Sequence, residues 1–143
     1  MKIVIAADHA AFEAKNNIVS HLKSKGLEVV DLGTNSSESV DYPKYGQMVA
    51  RYILEGHCDR GIVVCGTGIG ISIAANRFKN IRATLCSTES DAEMARKHNN
   101  SNVLALGART TEIENIKSIV DVWLATDFEG GRHQVRLKLI DEI

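Results

Sequence analysis

The sequence predicts an α/β fold: a Rossmann-like three-layer α/β/α sandwich around one five-stranded parallel sheet, with strand order 2-1-3-4-5. Three observations predict it. Five short apolar runs alternate with segments of helical periodicity, as successive βαβ units require. The 143 residues suit a single domain over 1–143. One Pro, no internal repeat and one obvious polar loop leave no linker at which to divide the chain.

The elements follow in order. Residues 2–7 (KIVIAA) read as a buried first strand. Ala11, Ala14, Ile18 and Leu22 then form a helical stripe over 11–25, and Gly26 sits where a left-handed residue closes a helix. Residues 27–32 are a second strand and 33–42 a polar loop. Pro43 suits the first turn of a helix, and Tyr45, Met48, Val49, Tyr52 and Ile53 fall on one face of it. Residues 61–65 (GIVVC) are a third strand, which runs through Gly66–Gly70 into a helix ending near Arg77. Residues 81–86 are a fourth strand, and 89–98 a helix capped by Ser87 or Thr88. Residues 102–107 are a fifth strand, backed by a helix through Ile113, Ile116, Val120, Trp123 and Leu124. After Phe128-Glu129-Gly130-Gly131, a last helix carries Val135, Leu139 and Ile143 on one stripe. No strand follows this helix, so its stripe is expected to pack on a partner subunit.

Composition excludes several function classes. Seventeen basic and 18 acidic side chains give a net charge of −1, with no general attraction to nucleic acid or an anionic membrane. No apolar run approaches the ~20 residues of a membrane span, and the apolar N-terminus stops at Asp8-His9, too early for a signal peptide. Three cysteines without a CxxC spacing argue against a disulfide scaffold or a zinc site and suit a reducing cytoplasm. The histidines show neither HxxxH nor HxH spacing, and no metal is expected.

In an open parallel sheet, ligands bind beyond the carboxyl ends of the strands. Asp8-His9, Cys65 with its glycine loop, and Arg109 all fall at such ends. Gly66-Thr67-Gly68-Ile69-Gly70 joins a strand to a helix, a setting that suits an anion or a developing oxyanion; a packing turn is the plainer alternative. Cys65 at its mouth reads either as a reactive thiol or as a small buried hydrophobe. Asp8-His9 could orient hydroxyls or a phosphate, or simply cap a helix. His98-Asn99 offers an acid–base imidazole, or an ordinary helix C-terminus. Arg132 and Arg136 share one helix face and can clamp a phosphate, or form a solvated basic surface. Lys79, Arg82, Arg96 and Lys97 read as ordinary surface charge.

Six segments in this order carry a resemblance over essentially the whole chain. They are Ile5–Ala10, Asp41-Tyr42-Pro43, Cys65–Gly70, Ala95–Asn100, Ala105–Arg109 and Phe128–His133. Together they resemble the sugar-phosphate isomerase family of the type B ribose-5-phosphate isomerases and the galactose-6-phosphate isomerase subunits. The resemblance implies a homodimer or homotetramer whose active site is shared between subunits, with neither metal nor organic cofactor. It implies that Cys65 is the base that moves a proton between carbons, and that Gly66, Thr67, Gly68, Ile69 and Gly70 form the hole for the enediolate oxygen. His98 is implied as the ring-opening acid, assisted by Asp8 and Thr67, and Asn99 as a contact to the sugar oxygens. His9, Arg109, Arg132 and Arg136 are implied around the phosphate, with Tyr42 lining the pocket. The activity so implied interconverts D-ribose 5-phosphate and D-ribulose 5-phosphate. The alternatives are an isomerase of allose 6-phosphate or galactose 6-phosphate, and, from another class, a flavodoxin-like nucleotide-binding module.

Overall fold

The computed structural model describes residues 1–143. Its strands are β1 (Lys2–Ala7), β2 (Glu28–Asp31), β3 (Arg60–Cys65), β4 (Ala83–Leu85) and β5 (Val103–Gly107). Its helices are α1 (Phe12–Ser24), α2 (Tyr42–Leu54), α3 (Ile69–Asn76), α4 (Glu89–Asn99), α5 (Ile113–Ala125) and α6 (Arg132–Asp141). All strand pairs are parallel.

The period-2 alternation of the strands sorts their side chains into two cores. Ile3 and Ile5 of β1, Ile62 and Val64 of β3, and Leu104 and Leu106 of β5 point to one face, against Ile18 and Leu22 of α1 and Ile116, Val120 and Trp123 of α5. Val4, Ala6, Val63, Cys65, Val103 and Ala105 point to the other, against Val49 and Ala50 of α2 and Ile71 and Ala75 of α3.

The strand order is β2-β1-β3-β5-β4, which corrects the expected 2-1-3-4-5 by exchanging the last two strands. The reason is burial. All five residues of β5 are buried, so it occupies an interior position, hydrogen-bonded on both sides. β4 is only three residues long and partly exposed, which suits an edge. The strand order reverses its direction of winding between β1 and β3, as expected, and this leaves the crevice beyond those two strand ends.

Three local readings also change. The buried stripe of α1 is Ala11, Lys15, Ile18 and Leu22, with Lys15 completely buried and Ala14 only half-buried. A buried ammonium costs several kcal/mol unless it is fully partnered. Lys15 Nζ donates to Asp31 Oδ2 (2.7 Å), Asn35 Oδ1 (2.8 Å) and Asn16 Oδ1 (3.0 Å), which uses all three of its donors. Arg96 is buried as well, donating to the carbonyls of Thr126 and Ser101 and to Asn100 Oδ1, and burial pushes its pKa down to about 10. Arg82 binds both oxygens of Asp141 (3.0 and 2.9 Å) and the carbonyls of Asn99 and Asn100, so it ties α6 to the end of α4. These arginines are structural anchors, not surface charge.

The last helix leaves its apolar stripe bare. Val135 and Leu139 are 64% and 63% exposed, and Ile143 is almost fully exposed. On α3, Ile69 and Ile73 are likewise exposed, beside Leu85 of the edge strand.

Candidate active site

β3 ends in Cys65, whose register partner is Gly107 at the end of β5, so both mark the carboxyl edge of the sheet. Cys65 is buried, and its Sγ accepts the Gly68 N–H at 3.1 Å. That bond depends on the turn. Gly68 has φ +78° and caps α3, and a Cβ there would meet the Leu106 backbone at 2.8 Å, so no other residue fits without strain. Thr67 Oγ1 accepts the Ile69 N–H at 3.2 Å, while the N–H groups of Gly70 and Ile71, in the first turn of α3, have no partner in the chain. The loop therefore presents a thiol beside unpaired donors at the positive end of a helix.

Other predicted residues gather at the same edge. The Arg109 N–H donates to the Gly66 carbonyl (2.9 Å), and its guanidinium lies over Gly66. The Tyr42 ring packs directly on Gly70, where a Cβ would come within 2.7 Å of its hydroxyl. Asp8 is buried, and its Oδ1 accepts the Ala10 N–H at 3.0 Å; this turn precedes α1, whose cap is Ala11, so Asp8 is not the helix cap. His9 Nδ1 accepts the Val40 N–H at 3.1 Å, which leaves Nε2 to carry the proton of the neutral ring.

His98, Asn99, Arg132 and Arg136 lie elsewhere. Helix α4 runs back from the carboxyl edge to the amino edge, where the Asn99 carbonyl accepts from Arg82 Nε at 2.9 Å, just ahead of β4. The length of β5 separates this end from Cys65, roughly 13 Å at about 3.3 Å per residue. Arg132 and Arg136 are exposed on α6, which packs on α4 at that same end. One chain thus carries two separate clusters of predicted residues.

Two neighbours of His98 escape a reading by spacing. His133 stacks on His98, with ring centroids 4.5 Å apart and planes 19° from parallel. Glu129 Oε2 lies 3.6 Å from His133 Nε2. The structure thus places a carboxylate and a second histidine around His98, although the histidines show neither HxxxH nor HxH spacing. His133 lies on a helix 35 residues downstream, and only the Glu129–His133 interval of four hinted at a pair. Burial, with His98 and Arg132 nearby, holds the His133 imidazole below the ordinary histidine range.

The other two cysteines, Cys58 and Cys86, are buried. Burial pushes the Cys86 thiol up to about 12 and raises that of Cys58. No helix is long and apolar enough to cross a membrane.

A family described as Ribose/Galactose Isomerase matches residues 3–140. The chain belongs to this isomerase family. It is 51% identical to ribose-5-phosphate isomerase B of Escherichia coli, over 99% of this chain and 95% of that one. Among solved structures, Clostridium thermocellum ribose-5-phosphate isomerase B superposes with a TM-score of 0.98 at 50% identity, covering 99% and 96% of the two chains. The Thermotoga maritima ribose 5-phosphate isomerase gives 0.97 at 52%, covering 99% and 98%. As a member of this family, the chain has the sandwich architecture its sequence predicts.

Proposed function

We propose that this chain interconverts D-ribose 5-phosphate and D-ribulose 5-phosphate, at a site built from two copies of the chain. The observation that carries the reading is Cys65: a buried thiol at the carboxyl edge, beside the free N–H groups that open α3.

The phosphate is held by His9 and Arg109 of one copy and Arg132 and Arg136 of the other. This remote binding energy positions the sugar. His98 protonates the ring oxygen as the furanose opens to the aldehyde, while Asp8 and Thr67 assist at the departing hydroxyl proton. The Cys65 thiolate then removes the C2 proton. The carbonyl oxygen becomes negative as the enediolate forms, and the Gly66–Gly70 donors stabilise it. Asn99 contacts the sugar oxygens and Tyr42 walls the pocket. Cys65 returns its proton at C1 while the O2 hydroxyl proton passes to O1, leaving the C2 carbonyl of the ketose. One base serving two adjacent carbons balances the reaction without a redox cofactor.

Assembly supports the reading independently. Roughly 13 Å between the two clusters is too far for one sugar phosphate to engage both Cys65 and His98 of one chain. The bare apolar faces of α3 and α6 offer surface for a homodimer or homotetramer that brings the clusters of different copies together.

The test is turnover of the purified chain on three substrates: ribose 5-phosphate, allose 6-phosphate and galactose 6-phosphate. Ribose 5-phosphate is expected to give the highest kcat/KM; a higher value for either hexose phosphate would reassign the substrate. Arg132→Ala and Arg136→Ala are each expected to raise KM for ribose 5-phosphate about tenfold or more, the loss of a charge-assisted contact, with a smaller effect on kcat. Unchanged KM in both variants would remove these arginines from the phosphate site.

A further inference from the structure

We propose that His133 is a positioning residue for His98, held from behind by Glu129; this rests on reading His98 as the ring-opening acid. An acid that must meet the ring oxygen needs its imidazole plane held, because displacement by about 1 Å can cost a hundredfold in rate. His98 sits in the last turn of α4 and is only half-buried, so its own helix leaves one ring face free to tip. His133, in the first turn of α6 and 6% exposed, covers that face at a ring-centroid distance of 4.5 Å.

The support behind His133 closes on α4 itself. The Glu129 N–H donates to the Lys97 carbonyl at 3.1 Å, next to His98, and the Glu129 carboxylate reaches back to His133 Nε2. Lys97, Glu129, His133 and His98 form a closed loop of contacts between α4, the segment that leads into α6, and α6 itself. Arg82, bound to both Asn99 and Asp141, ties this same end of α4 to the C-terminal end of α6. Burial, with His98 and Arg132 nearby, lowers the His133 pKa and so favours the neutral ring, whose flat π face lies against His98.

The geometry favours this role over two others. His98, Glu129 and His133 place metal-donor atoms within 4.8 Å of one another, but rings stacked at 19° keep their lone pairs in two nearly parallel planes, which do not converge on a common ion. A phosphate ligand would need an open side chain, and His133 is buried whereas its neighbours Arg132 and Arg136 are exposed.

Steady-state kinetics on ribose 5-phosphate, with thermal unfolding alongside, tests the proposal in His133→Ala, His133→Phe and Glu129→Gln. His133→Ala is expected to lower kcat about tenfold or more with KM within about twofold. His133→Phe restores a flat ring and is expected to recover most of kcat, and Glu129→Gln to lower it by a few-fold. An unchanged kcat in His133→Ala overturns the proposal, as does a loss confined to KM. So does a His133→Phe protein that folds with full stability yet is as slow as His133→Ala. His98→Ala is the reference: full turnover in that variant would remove the acid role of His98 itself, and the positioning role with it.

Discussion

Cys65→Ala is expected to lose at least about a thousandfold in kcat while still binding ribose 5-phosphate. Removing a positioned proton-transfer group typically costs 10²–10⁴-fold, and in the proposed mechanism the same group serves both proton transfers. The side chain is buried and small, so the packing loss is about 1–2 kcal/mol, too little to unfold a domain of this size. The Gly68 N–H loses its acceptor in Cys65→Ala but keeps one in Cys65→Ser, whose alcohol is a far weaker base. Both variants should therefore be inactive, and Cys65→Ser separates the chemistry from the loop geometry. Cys58→Ala and Cys86→Ala should keep wild-type turnover, because burial holds those thiols protonated. Calorimetric titration with ribose 5-phosphate and a kinetic assay on all four proteins read the outcome. Turnover by Cys65→Ala within tenfold of the parent would end the assignment of Cys65 as the base.

The second large effect is a restoration. Cys65→Ala and His98→Ala proteins, each inactive alone, are expected to regain activity when unfolded together and refolded as a mixture. In a dimer with shared sites, a mixed pair contains one site with both substitutions and one with neither. Random pairing makes about half of the dimers mixed, so recovery should approach about a quarter of wild-type activity. The physical basis is the separation of Cys65 and His98 along β5. If one chain supplied both groups to its own site, every site in the mixture would carry a defect and no activity would return. Absence of recovery from a mixture shown to contain mixed dimers would refute the shared site.

How much of the site was legible varied with how local each residue's partners are. Cys65, the glycine turn, Asp8-His9 and Arg109 follow directly from strand ends: parallel strands send all their carboxyl ends to one edge. The contact of Tyr42 with Gly70 joins two helices, and only the resemblance of Asp41-Tyr42-Pro43 pointed to it. His133 and Glu129 were missed because stacking on His98 requires α6 to fold back on α4. The buried roles of Lys15, Arg82 and Arg96 were missed because a charged side chain reads as surface unless its partners are known. The partners of Lys15 come from α1, β2 and the following loop, and those of Arg82 from α4 and α6.

By itself the sequence determined the fold class, the succession of elements, the glycine turn with its cysteine, and membership of the isomerase family. These are carried by short-range periodicity and by motifs a few residues long. Only the tertiary structure decided that β5 lies inside β4, because strand order depends on the burial each strand can satisfy on both faces. Only the tertiary structure, too, separated His98, Asn99, Arg132 and Arg136 from the thiol. A helix that follows a parallel strand must return to the opposite edge of the sheet, so residues at its end cannot share that strand's crevice within one chain.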